Sequence, residues 1–216
     1  MQEKTLYSTF AKQLIADLPR ALFEGRIEVV QGRREVRAAL ACLRRLRTVG
    51  FDTETRPTFR KGPMNQVALM QVSSHDICFL FRLNMTGITD ELADFLSDET
   101  VVKVGLSLQD DIMQLYRRCH FEPRGFVDIQ TMARTMGIED QGLQRIYANV
   151  FGMKISKGQQ LTNWEADVLT EAQQRYAATD AWACLQLYEE MNRLQREGFR
   201  LVKVYHIDNQ DKGTNT

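Results

Sequence analysis

The sequence predicts an α/β fold in which helices flank a largely parallel β-sheet. Segments with period-two or uniformly apolar character, typical of strands, alternate with segments whose apolar residues recur every three or four positions, typical of helices. The strand segments are rich in β-branched residues, as buried parallel strands are. The 216 residues are 44% hydrophobic and 26% charged, which is ordinary for one globular domain.

The first 47 residues are predicted to be an extension that packs on the core. Leu6, Phe10, Leu14 and Leu18 have the spacing of an amphipathic helix, which Pro19 would end. Beyond it, RIEVVQG predicts a short strand and RREVRAALACLRRL a helix with an apolar stripe.

Five strands are predicted after residue 47, and they should form one sheet. They are TVGFDTE, QVALMQVS, DICFLFRL, TVVKVG and GFVDIQ, of which the second and third form a hairpin. Helices are expected at ITDELADFLSD, with Thr89 as its cap, and at LSLQDDIMQLYRR. From Thr131 the pattern is mainly helical and ends in a long helix. This main domain is predicted to span residues 48–207, and residues 208–216 to be a disordered tail.

Charge and cysteine content limit the functional classes. The 28 basic and 28 acidic residues cancel, so binding to nucleic acid would rest on a local patch or on bound cations. The four cysteines lack the spacing of a metal knuckle and indicate free thiols in a reducing compartment. No stretch has 18 consecutive apolar residues, and the N-terminus does not have the pattern of a signal peptide. We therefore expect a cytoplasmic protein with no membrane partner.

Four carboxylates lie on predicted apolar faces. Asp52 and Glu54 share one face of the first strand after residue 47, because strand side chains alternate. In the helix after residue 107, Asp111 shares the face of Leu108 and Leu115 and should point inward. Its neighbour Asp110 is instead predicted to form a capping box with Ser107.

The fourth carboxylate, Asp180, lies four residues after Tyr176 on the last helix, so the two side chains share a face. Convergent carboxylates repel one another but suit Mg²⁺ or Mn²⁺, and two such ions can assist phosphoryl displacement. Taken singly, each acid is more simply an exposed residue or a helix cap, and an Asp-x-Glu triplet is common. Their combination favours a metal site.

These residues give the chain a resemblance to the DEDD-type 3′-to-5′ exonucleases, in the subgroup with tyrosine in the third motif. It is similar to Werner-type and RNase D exonuclease domains in VGFDTET, KVGLSLQDDIMQL and LTNWEADVLTEAQQRYAATDAW. The resemblance extends from about Val49 to Tyr188. It implies an RNase H-like exonuclease fold: a mixed five-stranded sheet with one antiparallel strand, flanked by helices.

The resemblance also implies roles for the acidic residues. Asp52, Glu54 and Asp180 would hold one divalent cation, Mg²⁺ or Mn²⁺, that activates the attacking water. Asp52 and Asp111 would position a second cation near the departing 3′ oxygen. Tyr176 would orient the water, and nucleoside 5′-monophosphates would leave from a free 3′ end.

Other residues are weaker candidates for contacts with the substrate. They are Arg56, Phe59, Arg60 and Lys61 in a basic loop after the first motif, and Lys154 and Lys157 later in the chain. A solvated loop explains the first group about equally well. Trp164 is interpreted as a packing residue, and Asp128 as structural support.

DNA is the favoured substrate because of the Werner-type likeness, and an RNase D-like exoribonuclease is the alternative. A nonenzymatic binding or scaffold module on the same fold is a further alternative, but none of the metal ligands that the resemblance requires is missing. The sequence has no helicase region or helical nucleic-acid-binding repeat after the nuclease motifs. A protein partner or a homo-oligomer could therefore supply part of the affinity for substrate.

Overall fold

The computed structural model describes residues 3–58 and 65–204 and contains eight strands in that part of the chain. In chain order they are β1 (Thr5–Tyr7), β2 (Arg26–Val30), β3 (Thr48–Thr55), β4 (Val67–Ser73), β5 (Ile77–Arg82), β6 (Val102–Gly105), β7 (Phe126–Asp128) and β8 (Arg200–Val202). The predicted tail, residues 208–216, lies outside the described residues. The proposed boundaries of the domain stay a prediction.

Seven α-helices accompany these strands within the described ranges. They are α1 (Arg33–Leu43), α2 (Leu83–Thr86), α3 (Asp90–Leu96), α4 (Leu108–Arg118), α5 (Ile129–Thr135), α6 (Leu143–Phe151) and α7 (Glu171–Glu197). Thr89 caps α3 as predicted, because its side chain accepts a hydrogen bond from the Leu92 amide. Across residues 3–58 and 65–204, no helix combines the length and the apolar character that crossing a membrane requires.

The central sheet has the order β2-β5-β4-β3-β6-β7. Strand β4 is antiparallel to both of its neighbours, and every other pairing is parallel. The predicted mixed sheet with one antiparallel strand is therefore confirmed. The predicted number of five strands is one short, because β2 pairs in parallel with the otherwise open edge of β5. The segment that was assigned to an extension thus contributes an edge strand to the sheet.

The predicted N-terminal helix is wrong. Residues 5–7 form strand β1, which pairs in parallel with β8, and Lys12–Asp17 form a short 3-10 helix. The Asn149 side chain holds β1 from α6: its Oδ1 accepts from the Tyr7 amide at 3.0 Å, and its Nδ2 donates to the Tyr7 carbonyl at 2.6 Å. These contacts with residues distant in sequence override the helical spacing of the apolar side chains.

The sheet separates two layers of core. One face packs against α1, α3 and α4, and the other packs against α6 and α7. On the second face, α7 crosses β3 so closely that a Cβ on Gly50 would lie 1.8 Å from the Ala181 carbonyl oxygen. Only glycine permits this approach. It places Asp180, the residue before Ala181, directly beside the carboxylates of β3.

The start of α4 is fixed by a carboxylate from a different element. Asp128 accepts hydrogen bonds from the Ser107 amide at 3.1 Å and the Leu108 amide at 2.9 Å, and also from the Gln130 amide at 2.7 Å. Ser107 is left-handed, with φ 58°, and its side chain makes no cap hydrogen bond, so the predicted capping box with Asp110 is wrong. The contacts of Asp128 agree with its interpretation as structural support.

Replacing Asp128 with alanine is expected to destabilise the fold by about 1–3 kcal/mol, because three amides lose a charged acceptor. The free energy of unfolding in urea measures this loss. Asp110→Ala is the matched control, since Asp110 is an exposed acid in the first turn of α4. Equal stability of the two variants would show that the contacts of Asp128 contribute nothing to the fold.

Candidate metal centre

Three carboxylates converge where the long helix α7 crosses strand β3. Asp52 and Glu54 project from the same face of β3 because they are two residues apart, and Asp180 projects from α7. One oxygen of each lies within 4.8 Å of an oxygen of the other two. The sequence pattern predicted this convergence, although the three residues come from elements far apart in the chain.

Burial makes the charged forms of these acids unfavourable. Glu54 is 9% exposed and Asp180 is 7% exposed, while Asp52 is partly exposed. Burial, followed by the charges of Asp52 and Asp180, raises the pKa of Glu54 to about 10. Burial also raises the pKa of Asp180 to about 7, and the Tyr176 hydroxyl and the Lys157 charge oppose this rise. The pKa of Asp52 is raised by burial and then by Asp180 and Asp111.

The three acids therefore fit a divalent cation. Without a cation, like charges lie close together in a poorly hydrated site and favour the protonated forms. A hard cation such as Mg²⁺ or Mn²⁺ prefers oxygen ligands and would remove the repulsion. The arrangement of oxygens and the raised pKa values both favour a metal centre over a set of solvated surface acids.

Asp111 lies beside this cluster without belonging to its three-ligand set. It points inward from the first turn of α4, as predicted, whereas Asp110 is exposed. Burial raises the pKa of Asp111 to about 6, and a hydrogen bond from the Thr53 hydroxyl opposes the rise. Because the charge of Asp111 also raises the pKa of Asp52, the two carboxylates are electrostatically coupled across the site.

Thr53 is a site residue that the sequence did not reveal. It lies between Asp52 and Glu54 on β3, and its hydroxyl donates to Asp111 on α4. The partner is 58 residues away, so no local spacing indicated the contact. This hydrogen bond holds the α4 carboxylate in the orientation that it has in the structure.

Replacing Thr53 with valine, which has nearly the same shape, is expected to lower about tenfold the rate of the exonuclease reaction that the sequence predicts, because Asp111, the predicted ligand of a second cation, loses an outer hydrogen bond. The pKa of Asp111 should rise further because a donor to its charged form is gone. Thr53→Ser keeps the hydroxyl and should stay near the wild-type rate. Equal rates for the valine and serine variants would show that the contact is dispensable.

Tyr176 lies one helical turn before Asp180 on α7. The Tyr176 hydroxyl lowers the pKa of Asp180, while burial and the nearby charges of Asp180 and Glu54 raise the pKa of the phenol. The phenol therefore stays protonated and can donate a hydrogen bond. Its ring centroid is 6.0 Å from that of Trp164, which is fully buried. The interpretation of Trp164 as a packing residue is confirmed.

An open cleft gives access to the carboxylates. Its walls come from β3, from α7, from the start of α6 and from the segment after α6. The lining residues include Asp52, Glu54, Asp180, Tyr176, Gly142, Gln144, Ser156, Lys157 and Gln160. Lys157 is exposed in this cleft, and its charge lowers the pKa of Asp180. The cleft thus places the Lys157 ammonium group and several polar groups near the acidic cluster.

The other residues predicted to contact substrate differ in where the structure places them. Arg56 is exposed and pairs with Glu165 at 3.2 Å, while Phe59, Arg60 and Lys61 lie outside the described residues. Lys154 donates its Nζ hydrogen bond to the Ala16 carbonyl and so braces the N-terminal segment. Among the candidates that lie in the described part of the chain, Lys157 lines the cleft with the acids.

Comparison with known proteins agrees with this geometry. A family model described as 3′-5′ exonuclease matches residues 27–195. The mouse bifunctional 3′-5′ exonuclease/ATP-dependent helicase WRN is 30% identical over 152 residues, which are 68% of this chain and 11% of that protein. Ribonuclease D of Xanthomonas oryzae is 28% identical over 154 residues, which are 71% of this chain and 42% of that protein. The chain thus spans less than half the length of either relative.

A solved structure has the same fold. The EXO domain of Nibbler from Aedes aegypti superposes with a TM-score of 0.74 at 23% identity, covering 84% of this chain and 94% of that domain. The mixed sheet with flanking helices is therefore an RNase H-like fold. Because the family model covers most of the sequence and includes Asp52, Glu54, Asp111 and Asp180, the chain belongs to the 3′-5′ exonuclease family.

Proposed function

We propose that this chain is a divalent-metal-dependent 3′-5′ exonuclease that hydrolyses phosphodiester bonds at the 3′ end of nucleic acid and releases nucleoside 5′-monophosphates. The observation that carries the proposal is the convergence of Asp52, Glu54 and Asp180 within 4.8 Å at an open cleft. Two cations, Mg²⁺ or Mn²⁺, would bind there, with Asp52 shared between them and Asp111 as a ligand of the second.

When bound, the cations would supply positive charge to the phosphate and a water nucleophile at neutral pH. The residues of the chain prepare the site for this chemistry. Glu54 and Asp180 are largely buried, and the close approach of α7 to β3 at Gly50 fixes the spacing of their carboxylates. Since the cations would offset the cluster's negative charge, a chain with no net charge can accept a polyanion.

We propose that Tyr176 orients the attacking water through its hydroxyl, and that the chain belongs to the tyrosine-containing subgroup of DEDD exonucleases. The side chain lines the cleft and stays protonated, so it can donate a hydrogen bond. Lys157, exposed in the same cleft, is proposed to contact a phosphate of the substrate.

Replacing Tyr176 with phenylalanine is expected to lower kcat by about tenfold to a hundredfold, because a positioned donor near the reacting water is lost. Mn²⁺ affinity, measured by calorimetry, should fall no more than about tenfold, because the hydroxyl favours the ionised form of Asp180 but is not itself a proposed ligand, so kcat is compared at saturating Mn²⁺. Tyr147→Phe is a suitable control: this buried tyrosine donates to Gln186 at a distance from the cleft. A Tyr176→Phe enzyme with the wild-type kcat would exclude the role in orienting water.

DNA is the proposed substrate, and an RNase D-like exoribonuclease is the second candidate. The relative named as an exonuclease and helicase is 30% identical, and the relative named ribonuclease D is 28% identical, so both classes have support. The phosphodiester chemistry proposed for the metal centre is the same for both substrates. The choice between them depends on contacts with the sugar and bases.

The test uses 5′-labelled DNA and RNA strands of equal sequence, incubated with the purified protein in Mg²⁺, in Mn²⁺ and in EDTA. We expect a ladder of products shortened from the 3′ end with either cation, none with EDTA, and faster shortening of DNA. Faster shortening of RNA would favour the second candidate. If neither strand were shortened with either cation, the chain would not be an exonuclease.

A further inference from the structure

Gln71, on strand β4, is a buried polar side chain that the proposed reaction does not use. It is 0% exposed, and neither its Oε1 nor its Nε2 has a hydrogen-bond partner among residues 3–58 and 65–204. Most buried side-chain amides in folded proteins do have partners, because burying an unpaired amide is unfavourable. The position of Gln71 on β4 indicates which group can accept a hydrogen bond from its side-chain amide.

Gln71 is the residue directly opposite Asp52 in the antiparallel pairing of β3 and β4. Side chains at directly opposite positions lie on the same face of the sheet, with Cβ atoms about 4.5–5.5 Å apart. Glu54 lies on this face too, opposite Leu69. The amide of Gln71 is therefore on the metal-centre side of the sheet and adjacent to Asp52.

Among the residues paired with Gln71 or next to it on this face of β4, Asp52 is the ionisable one. Leu80 lies opposite it on β5, and Leu69 lies two residues away on β4; both belong to the cluster buried under α7. Ser73, two residues away in the other direction, donates its hydroxyl to the Ser74 carbonyl at 2.9 Å. The neighbours of Gln71 on this face are thus two leucines and a serine on β4 and β5, and Asp52 at the directly opposite position of β3.

We infer that Gln71 is a positioning residue for the metal centre, whose Nε2 donates a hydrogen bond to the Asp52 carboxylate, directly or through one buried water, when bound cations keep that carboxylate ionised. The inference rests on the proposed function, because it requires a metal-loaded site. An ionised carboxylate is a stronger acceptor than a protonated one. A donor fixed on the neighbouring strand would hold Asp52 in the orientation needed to bridge two cations.

The test is Mn²⁺ binding by Gln71→Met, in which an apolar side chain of similar length and volume replaces the amide. The dissociation constant for Mn²⁺, measured by calorimetry, is expected to rise about tenfold or more, as it does when a hydrogen bond to a metal ligand is lost. In EDTA, the thermal midpoint of the variant should equal or exceed that of the wild type, because an unpaired buried amide has been removed. A general loss of packing would instead lower the thermal midpoint in EDTA.

Leu69→Met is the matched control, since it changes a buried side chain on the same strand and face without removing a polar group. Its Mn²⁺ affinity should equal that of the wild type. Gln71→Leu provides a second apolar variant if the methionine variant does not fold, with the same expected loss of affinity.

Wild-type affinity for Mn²⁺ in an apolar Gln71 variant would overturn the inference and leave the exonuclease proposal intact. A wild-type protein that binds no Mn²⁺ would instead overturn the proposed function itself. The two failures are therefore distinguishable in one set of titrations.

Discussion

Replacement of Asp52 with asparagine should lower the rate of nucleotide release at least about 10³-fold, equivalent to about 4 kcal/mol of transition-state stabilisation. Asparagine keeps the size of the side chain but cannot ionise. Asp52 is the proposed bridge between both cations, so its loss would impair both metal positions together. The measurement is the shortening of a 5′-labelled strand at saturating Mn²⁺.

When metal is absent, the same replacement should stabilise the fold. In EDTA at pH 8, Asp52→Asn removes one of three acids that lie close together and are largely buried. The variant should therefore unfold at a higher temperature than the wild type in EDTA and gain less stability when Mn²⁺ is added. Lost activity together with a gain in metal-free stability identifies a functional site better than lost activity alone.

Asp110→Asn is the control for this pair of measurements. Asp110 is an exposed acid in the first turn of α4, and surface replacements of this kind change stability by about 0.5 kcal/mol or less. Its rate should stay within about twofold of the wild type, because Asp110 is exposed and is not a proposed ligand, so the barrier should change by about 0.4 kcal/mol at most. If Asp52→Asn kept more than about a hundredth of the wild-type rate, well above the limit set by a loss of 4 kcal/mol, the cluster would not be the catalytic centre.

The second large effect is a loss of stability of the metal-free protein as the pH rises from 5 to 8. The folded protein holds the Glu54 proton up to a pKa of about 10 and the Asp180 proton up to about 7, whereas the ordinary values are 4.5 and 3.8. Between pH 5 and 7 the unfolded chain has lost both protons while the folded protein retains them, so deprotonation favours unfolding. Above pH 7, Glu54 continues to lower the free energy of unfolding as the pH rises.

Each such group changes the free energy of unfolding by about 1.4 kcal/mol per pH unit at most. Allowing for relaxation and for entry of water, we expect the metal-free protein to lose about 3–4 kcal/mol between pH 5 and 8. Cations would replace the protons, so Mn²⁺ should restore more stability at pH 8 than at pH 5. Unfolding in urea at each pH, in EDTA and in Mn²⁺, measures both effects.

Glu54→Gln is the control for the pH series. The variant lacks one of the carboxylates whose pKa is raised in the fold, so its stability in EDTA should fall less steeply with pH. A wild-type protein whose stability in EDTA is constant or rises over this range would show that these carboxylates are not held protonated in the fold. Equal slopes for the wild type and Glu54→Gln would exclude Glu54 as a source of the effect.

The elements that the sequence predicted well are those whose own side chains form a clear strand or helix pattern. The strands β3 to β7 and the helix α7 have long apolar patterns, and helical phase alone distinguished Asp111 from Asp110. Those patterns reflect which face of an element is buried, and burial is what brings the acids together. The convergence of the carboxylates was therefore predictable even though their distances were not.

The parts that the sequence did not predict depend on partners from elsewhere in the chain. The Asn149 side chain holds residue 7 in an extended strand, and the Asp128 carboxylate replaces the expected cap at Ser107. Two further contacts also join residues that are separated in the sequence: Thr53 with Asp111, and Gln71 opposite Asp52. Local spacing contains no information about such contacts, because each requires the tertiary fold to exist first.

The division of the metal centre between β3 and α7 also bears on when the site can form during synthesis. Asp52 and Glu54 leave the ribosome well before Asp180, which lies on a helix that covers the sheet's second face. A nascent chain that stops before α7 has two of the three clustered acids and no partner for β3 on that face. We therefore expect a nascent chain to bind no Mn²⁺ at this site until α7 has been synthesised and has packed on β3.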